Sequence, residues 1–413
     1  MQGTDNKRIV ITGVGVIAPN GIGKDAYWKA LKEGTSGIRP ITVFDPGFFK
    51  ARHAGEVPDF NAEEFMGAKG LRNMDRSTKL LCSAAKLAIG DAGLAITEDN
   101  TYDIGVVTAT TLSVVFNIAE FTRDAEVDGP KHVNPARFPS TTINSPSSQL
   151  SIWFKIKGFN ATVSTGYTAG IDALKYAVDF IKLGRAKAVL VAGVEALFFQ
   201  SYVGFLKLDF LAGIKGEEIS CPFDKRRNGI ILGEGSGVVV IEDAEYAASR
   251  GAKVYAEVKG IGNLFDPFRS GKYNPHADGL KRSILEALKK SGIGNDEIDY
   301  ICASANSVEQ QDRLETMIIK EVLGENARST PVSSIKSMIG EAMSASGVLQ
   351  IIASVGALEE CFIPPTINYK EPDPACDLDY VVNEARIKRP GNILINNFGP
   401  GGNNAACVLS RLI

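Results

Sequence analysis

Residues 161–174, ATVSTGYTAGIDAL, decide how the rest of the chain is interpreted. An apolar run ends at Val163, and the small polar residues that follow predict a tight corner. A helix is expected next, because Ile171 and Leu174 begin an apolar face at helical spacing. The hydroxyl of Thr165 or Thr168 is expected to cap its first turn. The stretch therefore predicts the end of a strand, an elbow and a helix.

Tyr167 stands at the corner of this elbow. Enzymes often place a nucleophile at such a position, because the positive end of the helix dipole stabilises its anion. A tyrosine phenol has a pKa of about 10 and is mostly un-ionised at neutral pH. The sequence thus places a bulky aromatic side chain where a reactive group would be expected.

Composition narrows the functional classes. The chain has 413 residues, a net charge of −3 and no long apolar run, so neither a nucleic-acid partner nor a membrane span is predicted. The six cysteines show no CxxC pairing and are interpreted as reduced thiols of a cytoplasmic protein. No cofactor is predicted, since the glycine-rich stretches lack the P-loop and dinucleotide-binding patterns. No His/Cys cluster indicates a metal.

Strand and helix signals alternate along the chain and predict an α/β protein. A weak repeat is also present, because helices near residues 77–94 and 278–288 each lead to a strand and then to a Val-Ser-(Ser/Thr) strand end. The halves are predicted as 1–250 and 251–413. The first carries an additional segment, 112–160, whose aromatic content suits a lid or a subunit interface.

The order of motifs resembles the β-ketoacyl-acyl-carrier-protein synthases of the thiolase fold. The quoted matches share one property, which is that they occur in the family's order along nearly the whole chain: RIVITGVGVIAPNG (8–21), STGYTAGIDAL (164–174), CPFDKRRNGIILGEGSGVVVIED (221–243), VSSIKSMIGEAMSASG (332–347), PPTINY (364–369) and NNFGPGG (396–402). The resemblance implies two pseudo-symmetric halves stacked in five layers, α-β-α-β-α, and a dimer.

The resemblance also implies that the family's reactive groups are missing here. The family uses a Cys at the elbow and two His residues, and by motif these positions are Tyr167, Ser304 and Glu341. Lys336 and Asp312, which accompany the histidines in the family, are retained. The three histidines of this chain, His53, His132 and His276, lie at no matching strand end.

Two interpretations of this loss are kept. One is a chain length factor, a silent homologue that pairs with an active ketosynthase of a type II polyketide or fatty-acid system. The other is an enzyme with altered chemistry, such as malonyl decarboxylation or acyl transfer, in which Glu341 and Lys336 form an acid–base pair. If the first is right, those two side chains are expected to form an internal ion pair.

The resemblance further implies tunnel and docking residues. By motif, Phe116, Ala119 and Arg123, with Phe121 nearby, line the end of the acyl tunnel, and Pro400 replaces the family's gating Phe. The alternative for the two phenylalanines is ordinary core packing. An acidic acyl carrier protein is expected to dock on a basic run whose members follow helical spacing, unless that run is an ordinary solvated face: Lys69, Arg72, Arg76 and Lys79.

Overall fold

The computed structural model describes residues 7–47, 49–268 and 271–412, except for the side chain of residue 73. Residues 1–6 and 413, at the ends of the predicted halves, lie outside this description. The strands are β1 Ile9–Ala18, β2 Gly21–Ile22, β3 Ile38–Pro40, β4 His53–Gly55, β5 Ile104–Ala109, β6 Asn160–Val163, β7 Ala188–Glu195, β8 Gly235–Asp243, β9 Ala256–Phe265, β10 Tyr300–Cys302, β11 Val332–Ser333, β12 Phe362–Ile363, β13 Arg386–Ile387, β14 Asn392–Phe398 and β15 Asn403–Ser410.

The helices connect these strands throughout the chain. They are α1 Lys24–Glu33, α2 Glu63–Met66, α3 Arg76–Asp91, α4 Val115–Val127, α5 Ser145–Phe154, α6 Ala169–Lys182, α7 Phe199–Lys207, α8 Ala244–Ser249, α9 Asp278–Ser291, α10 Glu309–Leu323, α11 Lys336–Ile339 and α12 Ser346–Glu360. Among the described residues, none of these helices combines the length and apolarity that a bilayer crossing requires.

The strand order repeats between the two halves. The first half has the order β1-β8-β7-β5-β6 and the second has β9-β15-β14-β10-β11. Directions repeat as well, since β5 runs parallel to β6 and β7, and β10 runs parallel to β11 and β14. In each half the remaining neighbours are antiparallel. The pseudo-symmetric repeat predicted from sequence is therefore confirmed.

The two sets of strands meet where β1 pairs with β9, at Val10 and Glu257. Helices α6 and α12 lie between them and cross closely at Gly170 and Gly347, where an added Cβ would come within about 3 Å of the opposite backbone. Helix α3 covers the outer face of the first set and α9 that of the second. Both sets of strands are thus covered on both faces, which explains why β1 and β8 are buried along their whole length. The predicted five-layer thiolase fold is confirmed.

The segment 112–160 contains α4, a 3-10 helix at Pro135–Thr141 and α5. Helix α4 has no fully buried side chain, whereas α5 buries Leu150 and packs on α3. Helix α8 lies near the predicted junction of the halves, and the division at residue 250 stays a prediction.

Candidate functional site

The predicted elbow is present and is made by a short 3-10 helix, Gly166–Thr168, between β6 and α6. Gly166 has a left-handed backbone, with φ of 70°, which turns the chain sharply into the helix. The expected threonine cap was wrong, because the Thr168 side chain makes no capping bond to the helix N-terminus. The hydroxyls of Thr165 and Thr168 instead both donate to the Asp172 carboxylate, whose stronger acceptor oxygens lie one turn along the helix.

Tyr167 is buried at this corner, with 7% of its surface exposed. Its ring lies against Gly399 in the loop after β14, so closely that a Cβ at Gly399 would lie 2.5 Å from the ring. Its hydroxyl is buried and has no hydrogen-bond partner among the described residues. Burial raises the pKa of Tyr167 well above 10, and the nearby charge of Glu341 raises it further. The phenol is therefore neutral and has no base to activate it.

Glu341 and Lys336 form a buried ion pair, with 2.7 Å between Lys336 Nζ and Glu341 Oε2 and 1% of each side chain exposed. The same oxygen accepts a bond from Asn306 Nδ2 at 2.9 Å. Oε1 accepts from the Met343 N–H at 3.0 Å and from the Ser346 hydroxyl at 2.6 Å. The carboxylate thus has four donors, which is the satisfaction that a buried charge requires.

Ser304 is fully buried directly after β10. Its N–H donates to Glu315 Oε1 at 2.9 Å, and its hydroxyl donates to the Phe398 carbonyl at 3.2 Å. Gln311 Nε2 donates to both the carbonyl and the hydroxyl oxygen of Ser304, at 3.0 and 3.1 Å. The serine therefore ties the end of β10 to the end of β14 and is not placed to exchange protons.

Lys336 brings the three altered positions together. Its Nζ bonds to Glu341, donates to the Ser304 carbonyl at 2.8 Å, and lies 6.0 Å from the centre of the Tyr167 ring. At that distance the ammonium has a weak cation–π attraction to the ring. The structure thus places Tyr167, Ser304 and Glu341 near one lysine.

Asp312 is held by two backbone N–H groups and lies close to an arginine. It accepts bonds from the Phe223 N–H at 2.9 Å and the Asn306 N–H at 3.0 Å, and Arg227 Nε lies 3.6 Å from it. Burial raises the pKa of Asp312 to about 6, against the opposing effect of Arg227. Its carboxylate holds together two loops that border the site.

Sequence reasoning missed several buried polar side chains of this site. Gln311 and Glu315 lie four residues apart on α10, and burial raises the pKa of Glu315 to about 7. That spacing on one helix face was a usable signal. Glu195, at the end of β7, accepts from the N–H groups of Thr111 and Leu112, and burial raises its pKa to about 7. It holds the base of the segment 112–160.

Four of the predicted tunnel residues lie on α4, which has no fully buried side chain. Phe116 is 40% exposed, and its ring stacks on Phe198 at 5.3 Å. Ala119 and Phe121 are half-buried, and the exposed Arg123 pairs with Glu120 at 2.8 Å. Since α4 buries no side chain, neither phenylalanine is a core residue. Pro400 is half-buried in the loop next to Gly399, which the Tyr167 ring contacts.

The basic run divides into two kinds of side chain. Lys69 and Arg72 are exposed, and Lys79 is half-buried. Arg76 instead forms an ion pair with the fully buried Glu234, at 2.5 Å from Nη2 to Oε1, and donates to the Val57 carbonyl. Arg76 is therefore held by a buried carboxylate, whereas Lys69 and Arg72 extend into solvent.

The histidines lie away from these groups. His53 Nδ1 bonds to Glu218 Oε2 at 2.8 Å, and His132 and His276 are exposed. Within the described ranges, no cluster of three or more His, Cys, Asp or Glu side chains is arranged to hold a metal ion.

Two family models match the chain. One, described as "Beta-ketoacyl synthase, N-terminal domain", matches residues 6–247, and the other, described as "Beta-ketoacyl synthase, C-terminal domain", matches residues 255–370. Among curated proteins, the chain is 37% identical to the 3-oxoacyl-(acyl-carrier-protein) synthase 2 of Synechocystis sp., over 415 residues that cover 100% of both chains.

Solved structures agree in fold over the same length. The structure titled "The ishigamide ketosynthase/chain length factor" superposes with a TM-score of 0.92 and 34% identity, covering 98% of this chain and 100% of that chain. A second, of a type II PKS acyl-carrier protein in complex with its ketosynthase, has a TM-score of 0.90 and 29% identity, with the same coverage of 98% and 100%.

Proposed function

The chain belongs to the β-ketoacyl synthase family, and we propose that within it the protein is a silent chain length factor. It pairs with an active β-ketoacyl synthase of a type II polyketide or fatty-acid system and shapes the tunnel that receives the growing acyl chain. The observation that carries this proposal is the buried Lys336–Glu341 pair, which occupies the reactive centre while Tyr167 fills the nucleophile's position.

The buried groups around Lys336 support the proposed absence of condensing activity. A fixed carboxylate at Glu341 repels the carboxylate of a malonyl unit at this position. The buried Tyr167 hydroxyl has neither a base nor any described hydrogen-bond partner that would draw off its proton. Lys336 already serves Glu341 and the Ser304 carbonyl, which favours an internal ion pair over an acid–base pair.

The outer surface supports a partner subunit. Within the described residues, strand β6 pairs on one side only, with β5, so its other edge is open to a strand of a second chain. Exposed apolar side chains lie on the neighbouring elements α4, the 3-10 helix Pro135–Thr141, α5 and α6: Phe116, Ile118, Phe138, Ile152 and Tyr176. Such a concentration of exposed apolar groups is typical of a protein interface.

The titles of two solved relatives support a ketosynthase as that partner. One is titled a ketosynthase/chain length factor, and another pairs a ketosynthase with an acyl-carrier protein. A complex of this chain with an active synthase, served by an acyl carrier protein, follows by analogy.

Co-expression with an active ketosynthase of a type II system tests the proposal. We expect a one-to-one complex by native mass spectrometry and a change in product length when this chain is present. Ile152→Arg, at a position 68% exposed on α5, should weaken the complex, whereas Ile387→Arg, at a position 74% exposed on β13, should not. A homodimer alone, with the products of the synthase unchanged, would refute the proposal.

The altered-enzyme interpretation has its own readout. The isolated chain is incubated with acyl- and malonyl-loaded carrier proteins and followed by intact mass spectrometry and carbon dioxide release. We expect neither a covalent adduct nor carbon dioxide. Either product in the absence of a partner would favour altered chemistry over a silent subunit.

Phe116 tests the tunnel in the complex. Its ring is 40% exposed on α4, so it limits a tunnel only when the partner covers that surface. Removing its bulk with Phe116→Ala should lengthen the products, because the tunnel end then accepts more carbons. Phe199→Ala, at a residue 44% exposed on α7, is the comparison variant. Unchanged product length in Phe116→Ala would remove Phe116 from the tunnel.

A further inference from the structure

Glu195 is a buried carboxylate at the end of β7, with 3% of its surface exposed. Its Oε1 accepts the Thr111 N–H at 2.6 Å, and the Leu112 N–H lies 3.2 Å from Oε1 and 3.0 Å from Oε2. These two N–H groups stand where the chain leaves β5 and enters segment 112–160. Because both are directed at one carboxylate, Glu195 fixes the backbone at the start of that segment.

The first turn of α4 follows directly from this junction. The Val115 N–H donates to the Leu112 carbonyl at 3.1 Å, and the Ile118 N–H donates to the Val114 carbonyl at 3.0 Å. Phe116 therefore lies about one helical turn beyond the backbone that Glu195 binds. Since α4 has no fully buried side chain, its placement depends on contacts such as these at its start.

A second support of Phe116 also begins at Glu195. The Phe116 ring stacks on Phe198, with 5.3 Å between ring centres, and Phe198 directly precedes α7, three residues after Glu195. Between them, the Leu197 N–H donates to the fully buried Glu234 at 3.2 Å from Oε2, which holds this loop in place. The backbone of Phe116 and its ring are thus both supported from the same end of β7.

Thr111 connects the junction to the elbow. Its hydroxyl oxygen lies 2.6 Å from Ser344 Oγ, and the Ser344 hydroxyl donates to the Gly166 carbonyl at 3.1 Å. Gly166 directly precedes Tyr167 at the corner. The start of α4 is therefore held at a defined distance from the silent centre.

We infer that Glu195 is a positioning residue for the tunnel end: by binding the backbone at Thr111 and Leu112, it holds Phe116 in place and so sets product length without contacting the acyl chain. The inference rests on the proposed function in one respect, since product length responds only if this chain borders the tunnel of an active partner.

Two other contacts keep the segment attached when Glu195 is replaced. Ser77 Oγ donates to the Ser113 carbonyl at 3.1 Å, and Asn117 Nδ2 donates to the Asp75 carboxylate. Removing the Glu195 carboxylate should therefore loosen the first turn of α4 without detaching the segment.

Hydrogen–deuterium exchange of the isolated chain tests the positioning. Glu195→Met keeps the length of the side chain but supplies no oxygen acceptor, so the amides of residues 113–120 should exchange at least tenfold faster, whereas those of α10 should not change. Glu195→Gln keeps a carbonyl oxygen for the two N–H groups and should stay within threefold of the natural chain. Glu195→Ala repeats the test if Glu195→Met does not fold.

A core variant separates this effect from a general loss of stability. Leu280→Ala removes packing at a fully buried residue of α9, in the second half, and should leave the exchange of residues 113–120 unchanged.

Product length in the complex with an active synthase is the second readout. Glu195→Met should lengthen the products in the same direction as Phe116→Ala, because both withdraw the ring from the tunnel end. The double variant should make products no longer than those of Phe116→Ala alone, since a displaced ring and a missing ring have the same effect.

Three results would each overturn the inference: faster exchange confined to residues 111 and 112, equal acceleration in Glu195→Gln and Glu195→Met, or unchanged products from a complex that contains Glu195→Met. The exchange measurement needs no partner. If no complex forms with a synthase, the proposed function fails while the exchange result still decides the positioning. If the complex forms and exchange is unaffected, only the role of Glu195 is refuted.

Discussion

The centre around Lys336 and the outer surface of segment 112–160 differ in how far their chemical groups are satisfied. At the centre, the Glu341 carboxylate receives four donors, and Lys336 bonds to both Glu341 and the Ser304 carbonyl. On the outer surface, α4 buries none of its side chains and β6 leaves one edge open within the described residues. The first region resembles a protein core, and the second resembles half of an interface.

Under the proposed function, this difference distinguishes a reaction that has been lost from a binding role that has been kept. An abandoned active site under no constraint would be expected to leave unpaired charges, whereas here the charges are paired and buried at 1% exposure. An abandoned surface would be expected to become polar, whereas here Phe138 and Ile152 remain exposed at 59% and 68%. The charges at the centre are therefore satisfied within the chain, and the exposed apolar surface supports the proposed interface.

The largest expected effect breaks the paired centre. Glu341→Ala leaves Lys336 buried without its partner and should lower the free energy of unfolding by about 3–5 kcal/mol, measured by guanidinium denaturation. The double variant Lys336→Met/Glu341→Leu should recover most of this loss, because it removes both charges. Glu321→Ala, which breaks the exposed pair with Lys281, is the control and should cost less than about 1 kcal/mol. Equal losses in the two single variants would contradict the paired core.

The second effect is a pH dependence of the free energy of unfolding caused by Glu195, which binds the N–H groups of Thr111 and Leu112 at the base of segment 112–160. Burial raises its pKa to about 7, so between pH 5 and 7 the folded state holds a proton that the unfolded state has released. Its contribution is therefore greatest at low pH and is lost as the pH rises through 7. Relative to Glu195→Gln, the natural chain should lose roughly 2–3 kcal/mol of stability between pH 5 and pH 8.

Denaturation of both chains at several pH values measures this difference. The raised pKa values of Asp312 and Glu315 act equally in both proteins and cancel in the comparison. Glu309→Gln, at a side chain 69% exposed, should leave the pH dependence of the natural chain unchanged. A difference between the natural chain and Glu195→Gln that is constant with pH would show that Glu195 is charged throughout this range.

A smaller effect of opposite sign is expected at Tyr167. Its buried hydroxyl has no partner among the described residues, so Tyr167→Phe removes an unsatisfied polar group and should stabilise the fold by about 1–2 kcal/mol. The control is Tyr300→Phe, which should destabilise by about 1 kcal/mol, since the Tyr300 hydroxyl bonds to Ser333 Oγ at 2.9 Å. Thermal unfolding of both variants compares them directly. Destabilisation by Tyr167→Phe would indicate a partner for the phenol.

The smallest effect concerns the basic run. Lys69→Glu with Arg72→Glu should slow association of an acidic carrier protein with the complex by severalfold at low salt, and less at high salt. Lys289→Glu, exposed on α9, is the control and should have no such effect. Stopped-flow fluorescence measures the rates. Arg76 is left unchanged because its removal would leave the buried Glu234 without its ion-pair partner. Rates independent of the Lys69 and Arg72 charges would favour an ordinary solvated face.

Local pattern was enough to predict the elbow, because strand, corner and helix signals act over a few residues. It failed at the threonine cap, since the hydroxyls of Thr165 and Thr168 are oriented by donating to Asp172 and neither accepts a bond from the first helical turn. It could not predict that Arg76 pairs with Glu234, because that contact joins residues 158 positions apart.

The sequence by itself determined the repeated α/β order, the family and the identity of the residues at the three altered positions, because these follow from motif order and side-chain type. Only the tertiary structure decided that Lys336 bonds to Glu341 and to the Ser304 carbonyl, that this ion pair is buried and satisfied, and that α4 has no fully buried side chain. The physical reason is that burial and charge pairing depend on which distant segments come into contact. The periodicity of apolar residues within one segment does not indicate which other segment it contacts.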